Sequence, residues 1–246
     1  MSHFFISSAQ ISENQLVIVG DDVNHMKNVL RMREGELFTA ADENGICYHC
    51  AVETLEKHRV TARILEKAVG QTELSSKIYL FQGLPKADKL ELIIQKAVEL
   101  GAYEIIPVMT KRSIVKLDAK KEAAKRKRWQ SISEGAAKQS GRMLIPRVSE
   151  VKTFAEALEM AKKLDVNLIP YECARGMEGT REIFSTIRPG MSVGIFIGPE
   201  GGWEESEVEA AKVQNVKPVT LGRRILRTET AGLTTLSILM YLLEES

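Results

Sequence analysis

The sequence predicts two parts of different class: a small β-barrel or sandwich over residues 1–72, then an α/β domain over 73–246 built on a parallel sheet. Three observations carry this. Before residue 70 the apolar runs are short and β-branched, with turn residues between them. GQTELSSK at 70–77 is polar and breaks the pattern. After it, strand-like runs alternate with helical stretches of about 10–15 residues, the rhythm of a parallel sheet. At 246 residues the chain can bury a real core, as one large domain or two smaller ones.

In order, QLVIVG, ELFTAA, ICYHCAVETL and RVTARILEKAV read as strands, with a turn at Asp42-Glu43-Asn44-Gly45. One helix interrupts them. Asp21 or Asp22 can cap it; Val23, Met26 and Leu30 form its apolar face, and Lys27 and Arg31 lie opposite. KIYLFQGL then reads as a buried strand, and KADKLELIIQKAVELGA as a helix with Leu90, Ile93, Ile94 and Ala97 inward. EIIPVM is a strand, and residues 118–139 a long basic helix with Trp129, Ile132 and Ala136 on one face. FAEALEMAKKL (helix), VNLIPYE and SVGIFIGP (strands), EESEVEAAKVQ (helix), KPVTLG (strand) and TETAGLTTLSILMYLLEE (helix) complete the order. The last helix is apolar nearly all round, so it is buried or packs on a second subunit.

Composition is that of an ordinary soluble chain, with 44% apolar and 27% charged residues. No apolar run reaches a membrane span and the start lacks a signal pattern, so a cytoplasmic protein away from membranes is expected. Cys47, Cys50 and Cys173 make no disulfide framework. Cys47 and Cys50 fall on opposite faces of a strand with no second ligand pair, so no metal is expected. Net charge is only +1, yet nine basic residues lie between Lys111 and Arg128 against Asp118 and Glu122. That belt reads as a local polyanion contact or as a solvated helix face.

Ligands of a parallel sheet bind beyond the carboxyl ends of its strands. Two loops lie there, GPEGG after SVGIFI and LGRRILRTETA after KPVT, only 18 residues apart, and proximity in space is expected. A Gly-rich turn before a helix is usually a phosphate site. Here Glu200, Glu204, Glu205 and Glu207 crowd the helix start, and neither GxxxxGK[ST] nor GxGxxG is present. A ligand without phosphate, carrying some positive charge, fits better. Thr228 or Thr230 can cap the helix after the second loop.

At these residues the chain resembles the SPOUT methyltransferases, and closely the 16S ribosomal RNA uridine-N3 methyltransferase family. HMKNVLRMREGE (25–36), GLPKADKLELIIQKAVELGAYEIIPVMTKRSIVK (83–116), RWQSISEGAAKQSGRMLIPRV (128–148), IGPEGGW and LGRRILRTETA carry the resemblance over nearly the whole chain. It implies an N-terminal PUA-like, RNA-binding barrel and a trefoil-knot SPOUT domain with helices on both faces of its sheet. It also implies S-adenosylmethionine as donor and a homodimer. The implied substrate is uridine 1498 of 16S rRNA, methylated on the assembled 30S subunit. The implied donor site comprises Pro170, Ile197, Gly198, Glu200, Gly201, Gly202, Leu221, Gly222, Ile225, Leu226, Arg227, Thr230 and Ala231. The family often has a basic residue where this chain has His3, which would make any RNA contact there pH-dependent.

Uracil N3–H is a weak acid, so the enzyme needs a proton acceptor or donors for charge on the flanking carbonyls. Within the motif loops the acceptors are Glu200 and Glu229, and the charge stabilisers Arg223, Arg224 and Arg227. Arg227 is expected beside the uracil, with Glu229 orienting it or taking the proton. Arg31, Lys111, Arg112, Lys125, Arg126, Gln139 and Arg142 are the expected RNA contacts. Trp129 reads as core more readily than as a base-stacking platform. The rival readings are a non-catalytic RNA-binding or ribosome-assembly protein on the same fold, and a nucleotide-binding α/β enzyme.

Overall fold

The computed structural model describes every residue except Lys116, Cys173, Arg175, Glu245 and Ser246; the Cys173 thiol therefore lies outside the described residues. The chain divides into two compact units, Met1–Glu73 with Ala137–Ile145, and Leu74–Ala136 with Pro146–Ser246.

In the first unit six strands form one sheet: β1 (Ser2–Phe5), β2 (Ile11–Ser12), β3 (Gln15–Val19), β4 (Leu37–Ala41), β5 (Ile46–Leu55) and β6 (Arg59–Val69). Their order is β1-β4-β5-β6-β3-β2, antiparallel except for β1 beside β4. Period-two patterning sets the inner face: Leu16 and Ile18 are buried while Gln15 and Val19 are exposed. Phe4, Phe38, Cys50 and Val60 join them in one core, so the sheet curls around residues from both of its halves. Asp42 closes the β4–β5 turn, its carboxylate accepting from the Asn44 and Ile46 amides and from the Tyr48 hydroxyl. Cys47 packs with Ala41 and Met143 while Cys50 packs with Phe4, the opposite faces that strand geometry requires.

The interrupting helix departs from expectation. It begins as α1 (Asp21–Asn24) with no side-chain cap and widens into a π-turn over His25–Val29. Val23 and Met26 are buried as expected, but the extra residue per turn carries Leu30 out of the apolar stripe, to 37% exposure. The short β1 had no sequence signal, and it buries His3, whose Nδ1 lies 2.8 Å from Thr39 Oγ1. Burial holds the His3 pKa below its ordinary value, and the ring packs edge-on against Phe5.

In the second unit every strand pair is parallel. The strands are β7 (Lys77–Gly83), β8 (Ala102–Met109), β9 (Arg147–Val148), β10 (Lys152–Thr153), β11 (Val166–Pro170), β12 (Ser192–Ile197) and β13 (Val216–Val219). The helices are α2 (Lys89–Glu99), α3 (Ala119–Ser140, its last turn belonging to the first unit), α4 (Phe154–Ala161), α5 (Met177–Ser185), α6 (Glu205–Val213) and α7 (Thr228–Leu243). Sheet order is β10-β8-β7-β12-β11-β13, with β9 also on β8. Helices cover both faces. Ala157 and Leu158 of α4 and Val208 and Ala211 of α6 pack with Phe81, Ile106 and Phe196 on one. On the other, α7 lies on β7 and β12, with Gly232 against Leu80 and Ile197. Trp129 is buried and so serves the core. Helix α5 escaped the sequence reading because only Thr180 and Phe184 of its nine residues are buried, too few to print a period.

Candidate active site

With all strands parallel, their carboxyl ends share one edge, and the loops there enclose a pocket of about 460 Å³. The two Gly-rich and Arg-rich loops do meet, but β12 and β13 are not neighbours. β11 lies between them, and its end supplies Pro170 and Tyr171 to the pocket. Pro170, Ile197, Gly198, Glu200, Gly201, Gly202, Leu221, Gly222, Ile225, Leu226, Arg227 and Ala231 all line it; Thr230 instead faces a second groove. Sequence reasoning missed Lys89, Trp203 and Thr228 as lining residues. GLPKADK was legible by the carboxyl-edge rule, since it follows β7 as the two chosen loops follow β12 and β13.

The GPEGG turn is held by specific backbone geometry. Gly202 has φ +67°, which a side chain adopts only under strain, and its amide donates to Pro199 O at 2.9 Å. A Cβ on Gly83 would sit 2.8 Å from Pro199 N and Cδ, so β7 and the turn pass at glycine distance. Of the glutamates around the turn, Glu205 is exposed, while Glu200, Glu204 and Glu207 are engaged. Glu204 accepts from Arg112 Nε at 2.8 Å, and Arg112 also donates to Gly201 O at 2.7 Å. Buried Glu207 accepts from the backbone amides of Lys111 (2.9 Å) and Glu204 (3.1 Å). These contacts correct the basis of the argument against phosphate. Glu204 and Glu207 do not stand as free repelling charges; they fill the helix start where an anion would bind.

Thr228 is not the cap of α7, whose N-cap is Arg227 with no side-chain bond. Its hydroxyl joins strand to loop instead, accepting from Gln82 Nε2 at 2.9 Å and donating to Gly198 O at 2.6 Å. Thr228→Val keeps the shape and removes both bonds, leaving Gln82 Nε2 only its bond to Gly83 O and half-buried Gly198 O without this donor, so thermal unfolding should show a loss of about 1–3 kcal/mol. Unchanged stability would mean that water replaces the hydroxyl.

Glu200 is no free acceptor. Burial opposes its ionisation, but hydrogen bonds from the Lys89 ammonium and the Lys86 amide outweigh this and hold its pKa below the usual carboxylate value. Lys89 Nζ lies 2.9 Å from Glu200 and 3.8 Å from Glu229 Oε2. The longer distance is an ion pair without a hydrogen bond, and Glu229 Oε2 is buried with no hydrogen-bond partner. Among the described residues no bond joins Glu229 to Arg227, so Glu229 does not orient that guanidinium as expected. Arg223, Arg224 and Arg227 are exposed at the pocket.

The basic belt separates by role. Lys111 and Arg112 brace the GPEGG turn and the start of α6, Lys111 Nζ donating to Ser206 Oγ at 2.8 Å. Arg142 is 4% exposed and held on Glu73, which removes it from the surface. Arg126 lies 3.5 Å from Glu150 in an exposed pair, and Lys125 has no ion pair among the described residues. Arg126 lines a groove along α3 with Lys127 and Arg147. Arg31 (φ +54°) and Gln139 are exposed on the first unit. No cluster of three or more His, Cys, Asp or Glu suited to a metal occurs among the described residues, and none of their helices is long and apolar enough to cross a membrane.

Comparison with known proteins places this architecture. Residues 72–240 match the RNA methyltransferase domain, and residues 18–65 the RNA methyltransferase PUA domain. The chain is 41% identical to the ribosomal RNA small subunit methyltransferase E of Bacillus subtilis, over 98% of this chain and 96% of that protein. It is 35% identical to the protein of that name from Mesomycoplasma hyopneumoniae, over 95% and 96%. A crystal structure of the Neisseria gonorrhoeae protein bound to S-adenosyl methionine superposes with a TM-score of 0.85 at 35% identity, covering 98% of each chain. A Legionella pneumophila protein solved with the same cofactor gives 0.84 at 30% identity, over 97% of this chain and 96% of that one. Fold and pocket together therefore define a PUA-bearing α/β RNA methyltransferase, and the chain belongs to the ribosomal RNA small subunit methyltransferase E family.

Proposed function

We propose that this protein transfers the methyl group of S-adenosylmethionine to N3 of a uridine in 16S rRNA, uridine 1498 by the family resemblance, on the assembled 30S subunit in the cytoplasm. The observation that carries the reading is the pocket at the carboxyl edge. Both motif loops line it, its helix start is closed to phosphate by Glu207, and two relatives were solved with this donor. In the reaction the methyl–sulfur bond breaks as the N3–methyl bond forms, the N3 proton leaves, and S-adenosylhomocysteine remains. Arg227, exposed at the pocket, is the catalytic residue: it stabilises negative charge on a uracil carbonyl as the proton departs. Glu200 is engaged with Lys89 and Glu229 is turned from the pocket, so alignment of methyl and nitrogen supplies much of the rate, with solvent taking the proton.

The N-terminal unit serves RNA binding with Arg31 and Gln139, and the α/β unit contributes Lys125 and Arg126. Leu92, Leu233, Ile238, Tyr241 and Leu242 form an exposed apolar groove on α2 and α7, which a second copy of the chain covers in the proposed homodimer. The deciding experiment is labelled-methyl transfer to small subunits lacking the modification, with the altered base mapped. Label on N3 of one uridine supports the reading; donor binding without transfer to any RNA favours the rival assembly protein. Lys125→Glu with Arg126→Glu should weaken subunit binding and flatten its salt dependence without changing donor affinity. Equal loss of both would make those residues structural.

A further inference from the structure

Among the described residues the pocket has one cation that neither motif loop supplies. Lys89 opens α2, and its ammonium stands between two carboxylates from different walls: Glu200 in the GPEGG turn at 2.9 Å and Glu229 in the first turn of α7 at 3.8 Å. The three side chains are partly shielded, 32%, 27% and 18% exposed. Glu200 is further fixed by the Lys86 amide, so the segment after β7 grips the turn twice. Glu229 follows Arg227 by two residues, and its Oε2 is buried with no hydrogen bond. A buried carboxylate oxygen in that state needs its cation nearby. Lys89 is the only ammonium paired with it among the described residues.

We infer that Lys89 is a positioning residue: by sharing its ammonium between Glu200 and Glu229 it ties the donor turn to the helix start that carries Arg227, and so sets the distance between methyl group and guanidinium. This rests on the methyl-transfer reading above. The bridge touches neither reacting atom; it acts on alignment, where small displacements carry large rate costs. It also gives Glu229 a role from outside the pocket.

The test is a double-mutant cycle of Lys89→Met and Glu229→Gln in the full chain, with Lys89→Arg alongside. Calorimetry measures S-adenosylmethionine affinity, and single turnover on small subunits lacking the modification measures the rate at saturating donor. Each single variant is expected to lower that rate about 10–100-fold, with affinity changed less than about threefold. The double variant should be no slower than the worse single one, because both break the same link. Lys89→Arg should restore most of the rate. Multiplicative losses, wild-type rates, or a loss of affinity at an unchanged saturated rate would each overturn the bridge. Thermal melting of each variant separates unfolding from misalignment, and Lys89→Gln repeats the cycle if Lys89→Met does not fold. Failure of the unaltered protein to bind the donor or methylate RNA would remove the methyl-transfer reading itself, and the bridge with it.

Discussion

Arg227→Ala is expected to lower methyl transfer by about 10²–10³-fold, the loss found when one donor to developing charge is removed. Donor affinity and folding should hold. The Arg227 side chain caps nothing at α7, is exposed, and makes no bond to Glu229. Calorimetry with S-adenosylmethionine and single-turnover transfer on unmodified small subunits separate the two quantities. Lys at the same position keeps the charge but not the planar fork, so Arg227→Lys should recover only part of the rate. Wild-type turnover in Arg227→Ala would remove this residue from the mechanism. The charge stabiliser would then be Arg223 or Arg224, which also line the pocket.

Gly83→Ala is expected to act on the donor, not on the chemistry. The added methyl would meet Pro199 N and Cδ at 2.8 Å and Ile197 O at 3.0 Å, all fixed parts of β12 and its turn. No rotamer relieves such a clash, so the turn must move. Overpacking of this kind costs about 1–3 kcal/mol. Expressed in binding, that is roughly a 10–100-fold loss of S-adenosylmethionine affinity. Gly135→Ala is the matching control. It sits exposed on α3 with nothing within 4 Å of a Cβ, so it should raise stability by up to about 1 kcal/mol and leave donor binding alone. Unchanged affinity in Gly83→Ala would mean that the turn does not form the donor wall.

Of the site, the sequence made plain the two loops and the backbone they offer. GPEGG and LGRRILR are local, contiguous and glycine-punctuated, and their place after apolar runs puts them on one edge of a parallel sheet. It also made plain the alternation of strands and helices, because burial on one face leaves a period. Two kinds of feature were hidden. Elements with few buried residues, such as α5 and β1, leave no period to read. So does the π-turn, which shifts phase without changing composition.

The partners of charged side chains were decided by tertiary structure alone. Lys111, Arg112, Arg142 and Arg126 read alike on paper, as expected RNA contacts in or just beyond one basic run. In the fold the first two brace a turn some 90 residues later, the third is buried on Glu73, and the last stays at the surface. Lys89 finds Glu200 and Glu229, and Thr228 finds Gln82 across 146 positions. The physical reason is range. Backbone preference and hydrophobic period act over a few neighbouring residues and are written locally, whereas a charge selects whichever opposite group the finished sheet order brings within a few ångströms.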